Sequence, residues 1–183
     1  IGQPAALTAS STFTAITCTG GNSTVTVTAS GGTAPYTGTG TFTRAAGTYT
    51  YTVTDANGCT ATTTGNITQP TVLSTSSTFT TIACNGGNST VTVTASGGTA
   101  PYTGTGTFSR TAGAYTFTVT DANGCTSITT GNITQPTVLT AAATAGTISV
   151  PGGSTTVTVT ASGGTAPYTG TGTFTRTAGT YTF

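Results

Sequence analysis

An all-β fold made of tandem sandwich repeats is what this sequence predicts, on three observations. An eighteen-residue block recurs unchanged at a fixed spacing. Within each period the residues alternate in the manner of strands. The composition is rich in strand-forming residues, with Thr alone making up about a third of the 183 residues.

The block Val25–Phe42, VTVTASGGTAPYTGTGTF, returns at Val91–Phe108 and Val157–Phe174, a period of 66 residues. Leu7, Leu73 and Leu139 keep that phase, as do Gln3-Pro4, Gln69-Pro70 and Gln135-Pro136. The expected organisation is therefore the end of a preceding repeat over residues 1–6, repeat 1 over 7–72, repeat 2 over 73–138, and a truncated repeat 3 over 139–183. Fixed-period self-similarity is the signature of arrays in which each unit touches only its neighbours.

Each element follows from local pattern. A first strand is expected within Leu7–Ile16. Ser23–Ser30 alternates Thr and Val, which points Val25 and Val27 to one face and Thr24, Thr26 and Thr28 to the other. Tyr36–Phe42 reads as a short middle segment. Tyr49–Thr54 alternates again, with Tyr49, Tyr51 and Val53 inward, and a last strand falls within Thr60–Gln69. Gly31-Gly32 and Asp55-Ala56-Asn57-Gly58 use residues that accept positive φ, so they read as turns. No stretch has a 3.6-residue apolar period. Six or seven short strands with turns every eight to twelve residues predict tandem Ig-like β-sandwich repeats. The linker Gln69-Pro70-Thr71-Val72 is short, and Pro fixes φ, so the array is expected to be a semi-rigid rod.

Charge excludes several functions. Only 3% of residues are charged, three Arg and two Asp, with no His, Met or Trp and a net charge of +1; ordinary domains are about 25% charged. Nucleic-acid binding needs clustered Lys and Arg, so no nucleic-acid partner is expected. No apolar run approaches the roughly 20 residues that span a bilayer, so no membrane span is expected. General acid–base catalysis wants His, Glu, Lys or paired carboxylates, and nothing here would activate the many hydroxyls. The sequence is read as that of a non-enzyme without cofactor or metal. A Lys–Asn isopeptide is excluded by the absence of Lys.

Cysteine arithmetic gives four residues, Cys18, Cys59, Cys84 and Cys125, two per repeat. Of the three connectivities open to them, pairing inside each repeat is the simplest: Cys18–Cys59 and Cys84–Cys125. Each core holds about a dozen inward apolar side chains, which barely offsets the ordering entropy of so small a unit. A staple closing a loop of about 40 residues adds roughly 4 kcal/mol in the chain-entropy model and implies an oxidising compartment. In repeat 3, Val150 stands at the phase of Cys18 and Cys84, and Ala145 at that of Phe13 and Phe79. Under pairing within the repeat, the remainder of repeat 3 is expected to lack its second cysteine too.

The unit Cys18-Thr-Gly-Gly, Val-Thr-Val-Thr-Ala-Ser-Gly-Gly-Thr-Ala-Pro-Tyr36, Ala-Gly-Thr-Tyr49, Val-Thr-Asp55-Ala-Asn-Gly-Cys59 and Ile67-Thr-Gln-Pro70 resembles the SprB repeat of very large surface proteins of the Bacteroidota, including a gliding-motility adhesin. The resemblance covers nearly the whole chain. It implies an Ig-like or PKD-like sandwich, export to the bacterial cell surface, and a role in adhesion or motility. Where the family pattern carries a Trp-containing segment after Pro-Tyr, this chain has Thr37-Gly-Thr-Gly-Thr-Phe42.

Other candidate sites recur with the repeat. Asp55 and Asn57 suggest either a cation site or an Asx turn; one carboxylate per repeat falls short of the six to eight oxygens calcium takes, which favours the turn. Arg44, Arg110 and Arg176 are candidate contacts to a glycan or neighbour, or solvated residues pairing weakly with Asp55 or Asp121. Tyr49, Tyr115 and Tyr181 are candidate tyrosine corners. Tyr36, Tyr102 and Tyr168, each after Pro, suit sugar stacking or rim packing. Asn22, Asn66, Asn88 and Asn132 stand in N-x-[ST] sequons and are candidate N-glycosylation sites. Outward Thr rows are candidates for O-glycosylation, since a nearly uncharged strand-rich surface otherwise invites edge association.

The function expected is a structural repeat segment of an extracellular bacterial surface fibre or adhesin stalk. Its expected partners are neighbouring repeats or copies of itself and covalent or bound glycans. Polymerisation by strand addition is a further expectation. The alternative is a multivalent glycan-binding adhesin module.

Overall fold

A computed structural model describes residues 5–183; Gln3-Pro4 and most of the expected preceding-repeat segment 1–6 lie outside them. The described chain is all-β, with thirteen strands in antiparallel sheets and no helix. It divides into two compact units, one comprising residues up to Ser76 with Thr94–Thr105 and Thr118–Ile128, the other Ser77–Val93, Gly106–Phe117 and Thr129–Phe183.

The first copy of the sequence unit shows why the pattern folds this way. Its strands are β1 (Thr8–Phe13), β2 (Ser23–Ser30), β3 (Gly40–Arg44), β4 (Gly47–Thr54) and β5 (Thr60–Ile67). One sheet has the order β1-β2-β3 and the other pairs β4 with β5. Register is fixed by which faces are apolar, because a slip of one residue would turn Val25 and Val27 to solvent. Thr8 pairs with Ser30 and Phe13 with Val25; Val25 also faces Phe42 across β2–β3; Thr54 pairs with Thr60 and Gly47 with Ile67. The alternation expected for β2 and β4 is largely observed: Val25, Val27, Tyr51 and Val53 are buried while Thr24, Thr28, Thr50 and Thr52 are exposed, but Thr26, expected outward, and Tyr49, expected inward, are both half-buried.

The two sheets enclose one core of Ile16, Val25, Val27, Tyr51, Val53 and Ile67, with Phe13, Tyr36, Phe42 and Tyr49 packed at its margin. Ser11 and Thr63 join β1 to β5 by a 3.0 Å hydrogen bond. Gly65 is needed on β5 because a Cβ there would run into the Phe13 ring. Tyr51 stacks on Phe42 at 5.0 Å between centroids, yet its buried hydroxyl has no partner. Phe117, at the same phase of the second copy, fills that place without the hydroxyl and stacks on Phe108 at 4.5 Å.

Five strands form where six or seven were expected. The middle segment begins later than its Tyr36 start: Thr37 makes only an isolated bridge to Thr54, and the strand itself is Gly40–Arg44. Pro35 and the glycines at 38 and 40 account for this, since Pro offers no N–H to a ladder and both glycines hold positive φ, +82° and +130°.

In the second copy β6 (Ser74–Phe79), β7 (Ser89–Ser96) and β8 (Gly106–Arg110) form a sheet of that order, and β9 (Gly113–Thr120) pairs with β10 (Thr126–Ile133). In the third, β11 (Thr140–Ala145), β12 (Ser154–Ser162) and β13 (Gly172–Thr177) repeat the first sheet alone. Val157 and Val159 are 8% and 7% exposed there, against 0% and 1% for Val25 and Val27. Among the described residues no helix is long and apolar enough to cross a membrane.

Candidate functional site

The chemistry of this chain concentrates in two loops, one at each end of a sandwich. The first is the acidic turn after β4. Asp55 is buried at the strand end, and its carboxylate is shared among backbone donors: Oδ1 accepts from Asn57 N (2.9 Å) and Cys59 N (2.8 Å), and Oδ2 from Thr33 N (3.0 Å). Gly58 supplies the left-handed residue that closes the turn, φ +82°. Asp121 does the same with Asn123 N, Cys125 N and Thr99 N, each at 2.9 Å. A carboxylate that accepts several N–H bonds is stabilised in its charged form. The Thr33 N–H, with those of Cys59 and Asn57, outweighs burial and holds Asp55 below the usual carboxylate pKa. For Asp121 burial works against ionisation, but the N–H groups of Thr99, Cys125, Asn123 and Gly124 together still bring it below that range. Of the two readings of Asp55 and Asn57, the geometry is that of the turn: the oxygens are taken by backbone. Among the described residues no three His, Cys, Asp or Glu gather as a metal site.

The second loop follows β1. Ile16 anchors it in the core, Gly21 N bonds Cys18 O (3.0 Å), and Gly20 takes φ +79°. The linker holds it from outside: Thr19 Oγ1 donates to Pro70 O (2.8 Å) and Gly20 N to Gln69 Oε1 (2.9 Å). The second copy repeats this with Asn85 Nδ2 to Pro136 O (2.9 Å) and Gly86 N to Gln135 Oε1 (2.8 Å). The Gln-Pro pair is thus a clasp on the cysteine loop. Its recurrence at the period was the signal in the sequence; the side-chain bond behind it was not foreseen.

These two loops meet across consecutive copies. Cys18 is bonded to Cys125, 107 residues away with Cα atoms 5.7 Å apart, and Cys59 and Cys84 are free and exposed. This corrects the expected pairs Cys18–Cys59 and Cys84–Cys125. The reason is strand direction. The Cys18 loop lies beside Gln69 and Pro70, past the Ile67 end of β5, whereas Cys59 sits at the Thr60 end. Eight residues of strand separate the two ends by roughly 25 Å, and a disulfide needs Cα atoms within about 7 Å. The acidic turn of the next copy is within reach because the linker is short. Asn123 Nδ2 donates to Thr17 O (3.1 Å) beside the bond, and Leu73, 9% exposed, closes the cleft. A protein disulfide is characteristic of an oxidising compartment.

The remaining candidates fall as follows. Of the tyrosine-corner set, Tyr49 donates to Ala45 O (3.2 Å), but Tyr115 pairs with the Ser77 hydroxyl (3.0 Å) and Tyr181 with the Thr177 hydroxyl (3.2 Å). The backbone-bonded role therefore fails for Tyr115 and Tyr181, whose hydroxyls pair with side-chain hydroxyls instead. It belongs consistently to the other tyrosines: Tyr36, Tyr102 and Tyr168 donate to Gly31 O, Gly97 O and Gly163 O at 2.6, 2.6 and 2.5 Å. Pro-Tyr beside Gly-Gly was the overlooked sign. Arg44, Arg110 and Arg176 do not meet Asp55 or Asp121, whose oxygens are occupied. Their guanidinium carbons lie over aromatic rings, Arg44 at 5.6 Å from both Phe42 and Tyr49, Arg110 at 5.2 Å from Phe117, and Arg176 at 5.2 Å from Tyr181. Asn22, Asn66, Asn88 and Asn132 are all exposed. No known family model matches the chain, and no curated protein matches it.

Proposed function

We propose that the chain is a structural segment of an extracellular bacterial surface fibre or adhesin stalk, made of tandem Ig-like repeats of the SprB type with bounds at 7–72, 73–138 and 139–183. The observation that carries this reading is the bond from Cys18 to Cys125. It ties the loop of one copy to the turn of the next, so a pull along the chain meets a covalent joint as well as the linker. Such a joint suits a projecting segment that bears tension.

Two further features support the reading. The inventory holds no His or Lys, and the two carboxylates are each committed to a turn. The exposed faces of β2 and β4 are rows of Thr with little charge, which suits a spacer and gives glycans many anchorage points. The four sequon Asn residues are open to the same modification, and an intact mass above that of the bare polypeptide is the expected sign of it.

Immunogold labelling of intact source cells, with antibody raised to the Val25–Phe42 block, tests the reading. Label repeated along extracellular filaments is the expected result. Label confined to the cell interior overturns it.

A further inference from the structure

We propose that Cys59 and Cys84 are the open halves of the joint that Cys18 and Cys125 close, each completed by a neighbouring copy of the 66-residue unit in the same polypeptide. Cys59 takes the cysteine of a Cys-x-Gly-Gly loop, and Cys84 takes that of an Asp-x-x-Gly-Cys turn. The inference rests on the tandem-repeat reading above.

The turn that carries Cys59 is built like the occupied one. Its Asp55 network repeats that of Asp121 donor for donor. Gly32 N bonds Ala5 O (2.8 Å) as Gly98 N bonds Thr71 O (2.9 Å), so the strand entering each copy is clamped alike. What differs is the covering. At the second turn Cys18, Thr19 and Pro70 of the preceding copy line the cleft; at the first, the cleft of about 210 Å³ is lined, among the described residues, by the first copy's own Leu7, Gly32, Asp55 and Cys59 with Ala5. Leu7 is half-buried where Leu73 is buried. Asn123 Nδ2 donates to both Thr99 Oγ1 (2.9 Å) and Thr17 O (3.1 Å), while among the described residues Asn57 Nδ2 donates only to Thr33 Oγ1 (3.0 Å). The unused N–H is the one that meets a carbonyl of the incoming loop.

The Cys84 loop is held in the matching posture. Gln135 and Pro136 clasp it as Gln69 and Pro70 clasp the Cys18 loop. The same linker then leads to Val138 and Leu139, where Gly164 N bonds Thr137 O (2.9 Å). Cys84 is thus presented at the entry to the third copy, which favours a partner on the same polypeptide over one on a second chain. In the sequence, Gln3-Pro4 has the same phase relative to Cys59 as Gln69-Pro70 has to Cys125.

Each joint forms from two S–H groups, which become one S–S bond. The two protons and two electrons pass to a small-molecule disulfide such as oxidised glutathione, which is reduced to two thiols. The arrangement also reassigns the partner of Val150. Under pairing between copies, the position facing Val150 belongs to the copy after the third. The third copy therefore keeps its Asp-x-x-Gly-Cys cysteine as the partner of Cys84, the reverse of the expectation from pairing within a repeat.

The test is a non-reducing tryptic map of the native full-length polypeptide after alkylation of free thiols. Trypsin cuts after Arg44 and Arg110, so Cys59 and Cys84 fall together in residues 45–110. The expected result is that this fragment is disulfide-joined to two others, one carrying a preceding Cys-x-Gly-Gly loop and one carrying a following Asp-x-x-Gly-Cys turn, with reduction adding only two hydrogens per bond to the chain mass. Two alkyl groups on the fragment, an internal Cys59–Cys84 bond, or a mass that falls on reduction would each overturn the proposal. Surface filament labelling is untouched by those outcomes, so failure here is separable from failure of the fibre reading.

Discussion

The turns at Asp55–Cys59 and Asp121–Cys125 have the same five residues, the same carboxylate hydrogen bonds and different surroundings. One ends in an exposed thiol above a half-buried leucine. The other ends in a disulfide above a buried one. Since the local sequence is identical, local sequence does not decide which cysteine is bonded. What decides it is the loop delivered by the preceding copy. The turn has the same internal bonds in both surroundings, and the covering adds covalent and apolar contact without reshaping it.

The largest expected contrast is between the cysteines themselves. Cys125→Ser removes a cross-link that closes a loop of 107 residues, which is worth about 4.7 kcal/mol in the chain-entropy model. In the 183-residue chain, denaturant titration without reductant should show most of that loss, whereas Cys59→Ser, at a thiol free and exposed there, should leave stability within about 0.5 kcal/mol. Equal losses would mean that the two turns are not different in the way described.

Next in size is Gly97→Ala. Gly97 holds φ +72°, and a Cβ there would run into the Val72 carbonyl oxygen. A left-handed alanine alone costs about 1–2 kcal/mol, and the clash adds to it. Gly31→Ala meets the Ala6 carbonyl in the same way. Thermal melts should show both variants destabilised, but only Gly97→Ala should also slow closure of the Cys18–Cys125 bond on reoxidation.

Acid should act on both turns. The folded pKa of each Asp lies below its ordinary value of 3.8. Such a group contributes stability above the unfolded pKa and loses it as pH falls through the folded one. The denaturation midpoint should therefore be level from neutral pH to about 5 and fall below about 4. The double change Asp55→Asn with Asp121→Asn should lower the midpoint at neutral pH and flatten that fall.

The smallest effect is a control remote from both turns. Tyr51 buries an unpartnered hydroxyl where the second copy has Phe117. Tyr51→Phe should raise stability by about 1 kcal/mol, the low end of the cost of an unsatisfied buried group, without altering thiol reactivity at Cys59.

Much of this was legible in the sequence. Alternation placed Val25, Val27, Tyr51 and Val53 inward, and Gly31-Gly32 and Asp55–Gly58 at turns, because period-two burial and positive φ are local demands. The cysteine pairing was not legible. Counting cysteines per repeat makes Cys18 and Cys59 look like partners, but strand direction sends them to opposite ends of the sandwich, and direction is a property of topology. The Tyr36 hydroxyl was missed for a related reason: its acceptor, the Gly31 carbonyl, is five residues upstream and is exposed only by the turn itself.

The most direct measurement is the non-reducing tryptic map of the 183-residue chain after thiol alkylation. Cys18 lies in residues 1–44, Cys59 and Cys84 in 45–110, and Cys125 in 111–176. A joint between consecutive copies predicts fragment 1–44 disulfide-linked to 111–176, with 45–110 released and carrying two alkyl groups. Fragment 45–110 linked to both of the others would restore pairing within each repeat and contradict the account.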